Sequence, residues 1–245
     1  MQRRDDLLSV EHDLTPGELS DALTALLTEY LVDTEMLHGQ TEFELVFTGV
    51  VRSTVDGSVP SWLRFYRNSL RSLERGDTAF GPIHAEAQLQ VRGDRLLDLG
   101  SCFGFFPLRM ARHLDVIATD LNASTMRLLS AVSPRLQRPV ATLACDATAV
   151  PRPSGSADTV TALHLIEHLP DDVMIAVCDE ALRLARRRVV IAVPFEDEPR
   201  ECYGHVQRFD LPRMQWLADN LISRHAGISA CSYEFHGGWL VLDQS

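Results

Sequence analysis

From about residue 90 onward, short apolar segments alternate with segments that carry apolar residues at helical spacing. The segments that predict strands are 95–99, 116–119, 142–144, 159–163 and 189–193. Helices are predicted between them, near 105–113, 122–132 and 172–186. Asp171 precedes the third helix, and the cations expected at its C-terminal end, where they offset the helix dipole, are Arg183, Arg186, Arg187 and Arg188. This alternation predicts right-handed βαβ units and a parallel sheet.

The end of the chain shows a different pattern, in which two apolar segments flank a pair of glycines. The sequence reads "ACSYEF", then "HGG", then "WLVLDQ", which is typical of a β-hairpin. Together with the five strands before it, the hairpin completes seven strands. The predicted fold class is therefore α/β: a Rossmann-like, doubly wound, mostly parallel seven-stranded sheet with an antiparallel C-terminal hairpin at one edge.

Before residue 90 the sequence favours helices. Thr15-Pro16-Gly17-Glu18 has the form of a capping box with proline at the first helical position, and leucines at helical spacing follow it. This pattern predicts a helix over 16–37. A second helix is predicted after Pro60-Ser61, with apolar residues on one face and four arginines on another: Arg64, Arg67, Arg71 and Arg75. These arginines form either a solvated face or a contact surface for an anionic partner or substrate.

The composition limits the classes of partner. A net charge of −11 at pH 7 argues against nucleic-acid binding, since there is no basic surface to displace counterions. No apolar segment is long enough to cross a bilayer, so membrane insertion is not expected. An odd number of dispersed cysteines without a C-x-x-C pair predicts reduced thiols and a cytoplasmic location. These cysteines are Cys102, Cys145, Cys178, Cys202 and Cys231.

The segment "LLDLGSCFGFFP" is predicted to run from a strand through a glycine-bearing turn into a helix. It lacks the G-x-G-x-x-G pattern of dinucleotide sites. If Gly100 is the first glycine of that pattern, the positions of the second and third glycines hold Cys102 and Phe105. It has instead the pattern D-x-G-x-x-x-G, from Asp98 to Gly104. The turn therefore argues against a nicotinamide cofactor.

Three of the predicted strands end in an acidic residue: Asp98, Asp120 and Asp146. In a doubly wound sheet, ligands bind beyond the carboxyl ends of the strands, where the strand order reverses. Asp120 lies about one βαβ step beyond the glycine turn, the separation at which an acid accepts the hydroxyls of a ribose. Three acids at successive strand ends predict a site for a nucleoside cofactor.

On these residues the chain resembles the class I S-adenosylmethionine-dependent methyltransferases, over about residues 85–245. The first motif of that family is D-x-G-x-G-x-G, from which this chain departs at Cys102. The resemblance implies S-adenosylmethionine as cofactor, with Asp98 serving its amino group, Asp120 its ribose and Asp146 its adenine amino group. The other cofactor-binding residues that it implies are Gly100, Ser101, Gly104, Leu121, Ala147 and His164. It also implies a helical lid or acceptor-binding segment over 1–88 and the S-adenosylmethionine-binding methyltransferase domain over 89–245.

Candidate groups for activating an acceptor follow the fourth and fifth strands of this region. "ALHLIEHLPDD" contains His164, Glu167 and His168, which one helical turn would place on a common side, and His205 lies in the next loop. The expected catalytic residues are Glu167, His168 and His205, acting as a general base or as ligands of a divalent metal such as Mn or Mg, with His164 as a further ligand. A structural turn is the third interpretation. The set resembles the E-x-x-E-H and distal histidine of metal-dependent methyltransferases that modify the terminal ribose of small RNAs, with His164 in place of a glutamate.

The stretches "DLGSCFGFFPLRMA", "HLIEHLPDD" and "GHVQRFD" also resemble the methyltransferases associated with mycofactocin biosynthesis. Those enzymes O-methylate a glucose of an oligosaccharide, so this resemblance implies a glycan hydroxyl, such as glucose 2-OH, as the acceptor. Two alternatives are an O-methyltransferase of a quinone, phenol or lipid hydroxyl, and a non-catalytic cofactor-binding subunit. The partner expected in the first two cases is a hydroxylated small molecule or glycan, and the sequence does not predict the oligomeric state.

Overall fold

The computed structural model describes residues 2–4, 7–32, 37, 39–55, 58–200 and 203–245. The chain divides into two compact units. The first comprises Met1–Thr78 and Arg200–Gly204, and the second comprises Ala79–Pro199 and His205–Ser245. The functional boundary expected between residues 88 and 89 stays a prediction.

The first unit is built mainly from helices. A short antiparallel pair, β1 (Gln2–Arg4) and β2 (Leu7–Ser9), precedes them. The helices are α1 (Ala22–Leu27), which continues as a π-helical turn over Thr28–Val32, α2 (Gly39–Ser53) and α3 (Ser58–Arg75). Their buried side chains include Phe43, Phe47, Phe65 and Tyr66, so this unit has an aromatic core.

The helix predicted over 16–37 is wrong at its start. The capping contacts form, because Thr15 donates to Glu18 Oε2 from its backbone N–H (2.8 Å) and its hydroxyl (2.7 Å). They close only a turn, and α1 begins at Ala22. Gly17 disfavours helix, and the backbone N–H of Asp21 donates to Ser69 Oγ of α3 (2.8 Å) instead of to a helical carbonyl. Residues 33–36 of the predicted helix lie outside the described residues.

Helix α3 is confirmed, although it starts at Ser58, before Pro60-Ser61. Trp62, Phe65 and Leu70 are buried on its apolar face, and the rings of Trp62 and Phe65 meet edge to face at 5.5 Å. On the same helix, Asn68 Nδ2 donates to the backbone oxygens of Pro16, Gly17 and Leu19, which fastens the N-terminal turn. The four arginines on the other face are exposed: Arg64, Arg67, Arg71 and Arg75.

The second unit contains the predicted sheet, and the predicted fold class is confirmed. Its strands are β3 (Arg95–Leu99), β4 (Asp115–Asp120), β5 (Ala141–Ala144), β6 (Ala157–Leu163), β7 (Ala185–Val193), β8 (Ile228–Glu234) and β9 (Gly238–Gln244). They lie in the order β5-β4-β3-β6-β7-β9-β8. The first five are parallel, and the hairpin of β8 and β9 adds antiparallel to β7. The chain order reverses beside β3, so the carboxyl ends of β3 and β6 flank the switch point where ligands bind in such sheets.

Helices connect these strands: α4 (Phe80–Gln90), α5 (Phe105–Met110), α6 (Ala123–Val132), α7 (Asp171–Leu184) and α8 (Leu211–Arg224). The three predicted helices are confirmed, whereas α4 and α8 were not predicted. One detail of the prediction for α7 is wrong. Of the four arginines expected at the C-terminal end of this helix, only Arg183 lies there, because β7 already begins at Ala185. The other arginines pair with acids of the sheet; Arg188 Nε, for example, lies 2.7 Å from Asp243 Oδ1.

None of the helices in the described part of the chain has the length and the apolar character needed to span a bilayer.

Candidate cofactor and acceptor site

The turn after β3 requires glycine at two positions. Gly100 and Gly104 have φ angles of +65° and +72°. A Cβ added at Gly100 would lie 2.6 Å from Leu165 Cδ1, and one at Gly104 would lie 2.4 Å from Leu129 Cδ2. The positive φ angles disfavour any other residue at both positions, and an added Cβ would also force the ends of the Leu165 and Leu129 side chains to move.

Cys102 stands where the methyltransferase motif has its middle glycine, and it adopts the conformation that glycine favours. Its φ is +48°, in the left-handed region that non-glycine residues rarely adopt. Its side chain is exposed. The turn therefore keeps its shape in spite of the substitution.

Asp98 lies inside β3 and is 3% exposed. Its Oδ1 accepts a hydrogen bond from the Thr161 hydroxyl at 2.5 Å. Burial raises the pKa of this carboxyl to about 6, against the opposing effect of the Thr161 hydroxyl. Ser101 donates from its hydroxyl to the Asp98 backbone oxygen at 3.1 Å, which ties the glycine turn to the strand.

Asp120 ends β4, the neighbour of β3, and is half-buried. Its Oδ2 accepts from the backbone N–H of Cys102 and its Oδ1 from that of Asn122, both at 2.8 Å. A carboxylate has four acceptor positions, so these two bonds fix its orientation and leave two positions for a ligand. The next side chain, Leu121, is 79% exposed, which gives the end of β4 an apolar surface beside its carboxylate.

Asp146 follows β5, the strand on the far side of β4. Its Oδ1 accepts from the backbone N–H and the hydroxyl of Thr148, both at 2.8 Å, and these bonds hold the pKa of the exposed Asp146 carboxyl below its usual value. Ala147 beside it is half-buried. Because β3, β4 and β5 are adjacent and parallel, the three predicted acids lie along one edge of the sheet.

A second group of side chains lies where β6 ends. A 3-10 turn over Ile166–His168 carries Glu167 and His168. His164, just before it, has a φ of +53°, and its Nδ1 lies 3.4 Å from Glu167 Oε1. The predicted helical turn is thus replaced by a left-handed residue and a 3-10 turn, which still bring His164 to Glu167.

His205 joins this group through its own loop. The backbone N–H groups of Val206 and Gln207 both donate to the Glu167 backbone oxygen, at 2.9 and 3.1 Å. The rings of His168 and His205 meet edge to face with centroids 4.8 Å apart. Glu167, His168 and His205 each offer a ligand atom, and these atoms all lie within 4.8 Å of one another. The residues predicted as a base or metal set are therefore brought together.

Glu167 is the most unusual member of this group. It is 1% exposed, and neither carboxylate oxygen has a hydrogen-bond partner within the part of the chain that the structure describes. Two imidazole nitrogens lie near Oε1: His164 Nδ1 at 3.4 Å and His205 Nε2 at 4.0 Å. An unsatisfied buried carboxylate costs several kcal/mol in order of magnitude, so the position calls for a partner.

Sequence reasoning missed three residues beside this group. Glu196 Oε2 lies 2.7 Å from His205 Nδ1. Phe80, on α4, sets its ring edge to face against His164 at 5.1 Å. His84, one turn later, is buried against Phe106, with ring centroids 5.4 Å apart. The acidic run "FEDE" after the fifth strand was a usable sequence signal for Glu196. Helix α4 had no such signal, because its apolar residues lie on several faces.

Comparison with known proteins bears on the domain that carries these residues. Residues 97–193, from β3 to the end of β7, match the family model described as a methyltransferase domain. The second unit is thus similar to a methyltransferase domain over that range. No curated protein sequence matches the chain.

Solved structures that match the fold include several methyltransferases. Magnesium protoporphyrin IX methyltransferase from Synechocystis PCC 6803, with bound SAH, superposes with a TM-score of 0.54 at 14% identity, covering 82% of this chain and 95% of that one. A SAM-dependent methyltransferase from Aquifex aeolicus gives 0.52 at 14% identity, covering 72% and 97%. A possible histamine N-methyltransferase from Thermotoga maritima gives 0.53 at 13% identity, covering 75% and 97%.

At these identities the structural matches establish the fold. The family match adds a likeness to methyltransferase domains over residues 97–193, in line with the family that the sequence resembles. These comparisons do not support the finer resemblance to mycofactocin-associated enzymes. The acceptor, the atom that is methylated and the need for a metal therefore belong to the proposal that follows.

Proposed function

We propose that this protein is an S-adenosylmethionine-dependent O-methyltransferase that acts on a hydroxyl of a glycan or a similar hydroxylated small molecule. The observation that carries the proposal is the shared location of two groups. The three strand-end acids and the cluster of Glu167, His168 and His205 all lie at or after the carboxyl ends of the parallel strands in one sheet. A cofactor bound at the acids and an acceptor held at the cluster would thus meet beside the switch point.

The residues of the glycine turn fit the proposed cofactor. S-adenosylmethionine supplies an activated methyl group and carries no phosphate, so it needs close backbone approach rather than a phosphate cradle. Gly100 and Gly104 bring no side chain of their own into the turn, and their positive φ angles keep its backbone in a conformation that other residues rarely adopt. Asp98 would accept from the amino group and Asp120 from the ribose hydroxyls. Leu121 offers an apolar surface to the adenine, Asp146 accepts from its amino group and the backbone N–H of Ala147 donates to it.

The cluster after β6 would prepare the acceptor. An alcohol is a poor nucleophile at neutral pH, so its proton must be removed or its oxygen polarised as the methyl is transferred. Glu167, His168 and His205 can do this in two ways: by accepting the proton as a general base, or by holding a divalent cation such as Mn or Mg that polarises the hydroxyl. A sugar 2-hydroxyl beside a 3-hydroxyl suits the second way because two adjacent oxygens can chelate a cation.

We assign residues 1–88 to acceptor binding, with the cofactor-binding domain over 89–245. The first unit is a helical addition to the domain that carries the cofactor motif, and additions of this kind carry acceptor specificity in the methyltransferases that the chain resembles. A quinone, phenol or lipid hydroxyl is the alternative acceptor, and a wholly apolar acceptor-binding surface would favour it. A non-catalytic cofactor-binding subunit is the other alternative, and the ionisable cluster argues against it.

The experiment that tests the proposal is methyl transfer from methyl-labelled S-adenosylmethionine to a small-molecule extract of the source cells. We expect label in a product that alkali does not hydrolyse, as an ether requires, and much less labelled product with Asp120→Ala at a cofactor concentration that does not saturate this variant. Mass spectrometry of the labelled product then distinguishes a glycan from a phenol or a lipid. Label on nitrogen or sulfur, or no transfer by a protein that binds the cofactor, would overturn the proposed reaction.

A further inference from the structure

Two carboxylates, the buried Glu167 and the half-buried Glu196, approach His205 from opposite sides of its ring. Glu196 Oε2 lies 2.7 Å from Nδ1, and Glu167 Oε1 lies 4.0 Å from Nε2. Because a carboxylate can only accept, Nδ1 carries the hydrogen in the contact with Glu196. In the neutral ring, Nε2 then has its lone pair directed to the side of Glu167. This is the arrangement in which an outer carboxylate fixes the tautomer of a metal-ligating histidine.

The spacing of the cluster is close to that of a ligand set. Nitrogen and oxygen ligands lie about 2.0–2.2 Å from a zinc-like ion, so two of them can be at most about 4.4 Å apart. The ligand atoms of Glu167, His168 and His205 lie within 4.8 Å of one another. Shifts of a few tenths of an ångström would therefore bring all three to one ion.

The burial of Glu167 is independent evidence that its carboxylate binds a partner. Both of its oxygens are buried and accept no hydrogen bond from the described residues. Burying a charge without a partner is strongly unfavourable, whereas a bound cation offsets that cost. His164 Nδ1 lies 3.4 Å from Oε1, but His164 is not one of the three residues whose ligand atoms converge.

We propose that Glu167, His168 and His205 form a binding site for a divalent transition-metal ion, and that Glu196 is a positioning residue that orients His205 toward it. Two imidazoles and one carboxylate favour Mn²⁺, Co²⁺ or Zn²⁺ over Mg²⁺, which prefers oxygen ligands and retains its waters. The inference deepens the proposed function, because it selects the metal over the general base.

The test is titration of the metal-free full-length protein with Co²⁺, followed by visible absorption and by calorimetry, without S-adenosylmethionine. We expect one Co²⁺ per chain, displaced by Zn²⁺ and unaffected by a large excess of Mg²⁺. The nearly isosteric Glu167→Gln should abolish saturable binding, and His205→Ala should do the same. Glu196→Gln should weaken binding about 10- to 100-fold, as expected for loss of an outer carboxylate.

A matched control is His225→Ala. His225 is also paired with a carboxylate, Asp179 Oδ1 at 2.8 Å from Nε2, but it belongs to a different contact at the end of α8. This variant should bind Co²⁺ as the parent protein does. Circular dichroism and thermal melting show whether each variant is folded, and Glu167→Gln keeps the test valid if His205→Ala fails to fold.

Absence of saturable Co²⁺ binding in the parent protein would overturn the metal site, as would unchanged binding in Glu167→Gln. Unchanged affinity in Glu196→Gln would remove the positioning role alone. Since no methyl transfer is measured, a protein that binds Co²⁺ but methylates nothing contradicts the proposed function and leaves the site standing. A protein that methylates at its full rate in the presence of a chelator and binds no metal contradicts the metal site and leaves the proposed function standing.

Discussion

The backbone N–H of Cys102 donates to Oδ2 of Asp120 at 2.8 Å. This bond joins the turn after β3 to the end of β4, and it depends on the left-handed conformation of Cys102. The residue that departs from the family motif thus helps to orient the carboxylate assigned to the ribose. The side chain of Cys102 is exposed and contributes little to packing.

The first prediction concerns that conformation. Cys102→Gly keeps the N–H and favours a positive φ, so we expect cofactor affinity within about twofold of the parent. Cys102→Val places a β-branched residue in the left-handed region and should destabilise the protein by about 1–3 kcal/mol. Urea unfolding and calorimetric titration with S-adenosylhomocysteine measure both effects. Equal stability of the valine and glycine variants would show that the turn does not hold this conformation.

The second prediction contrasts two glycines. Gly104→Ala combines a positive φ with a Cβ 2.4 Å from Leu129, so the turn must distort; we expect a loss of about 2 kcal/mol of stability and weaker cofactor binding. Gly49 lies in α2 with no atom within 4 Å of an added Cβ. Gly49→Ala should therefore stabilise the protein by up to about 1 kcal/mol through helix propensity. Thermal and urea unfolding compare the two, and a stabilising Gly104→Ala would contradict the close packing of the turn.

The sequence was sufficient to predict the strands of the sheet, because the apolar pattern of each strand lies within a few consecutive residues. Each predicted strand lies within an observed one, and the hairpin joins the predicted edge. Helix α8 also carried a usable signal that was missed: Asp210 caps it by accepting from the Arg213 N–H (2.8 Å), and a proline follows in the first turn. The helix over 16–37 failed because a tertiary contact, Asp21 N–H to Ser69, replaced a helical bond.

The candidate site could be predicted only in part, because its details depend on contacts between segments that are far apart in the sequence. The residues were chosen from motifs and strand ends, and the structure brings Glu167, His168 and His205 together. Which group orients which depends on side-chain contacts between separate loops, such as that between Glu196 and His205. Sequence spacing does not encode such contacts.

The third prediction is a pH dependence that arises from Asp98. Its pKa is raised from 3.8 to about 6 by burial, so the folded state keeps a proton that the unfolded chain has released. The bound proton contributes about 3 kcal/mol to the free energy of unfolding. This contribution is fully present below pH 3.8 and is lost as the pH rises through 6. Asp98→Asn removes this dependence and should be the more stable protein at pH 7, while it binds S-adenosylhomocysteine more weakly. Urea unfolding of both proteins between pH 4 and 8 measures the difference; parallel profiles would exclude the assigned ionisation.

The fourth prediction has the opposite sign and concerns His84. Burial is the main cause that lowers its pKa from 6.5 to about 3, with Arg109 and His164 acting in the same direction. The stability that depends on its neutral ring is present above pH 6.5 and is lost as the pH falls toward 3. His84→Phe keeps an aromatic ring beside Phe106, so we expect it to lose about 2–3 kcal/mol less than the parent between pH 7 and 4.5. The same loss in both proteins would mean that His84 does not titrate in this window.

The most direct test of the central claim is calorimetric binding of S-adenosylhomocysteine to the parent protein, Asp120→Ala and Asp115→Ala. Asp120 and Asp115 are the two ends of β4, and only the first lies at the carboxyl edge of the sheet. Loss of hydrogen bonds to a charged acceptor costs about 1.5–3 kcal/mol, so Asp120→Ala should weaken binding roughly 10- to 150-fold. We expect Asp115→Ala to bind as the parent does, and NAD to bind to none of the three. Parent-like affinity in Asp120→Ala, or no binding of S-adenosylhomocysteine to the parent protein, would contradict the account.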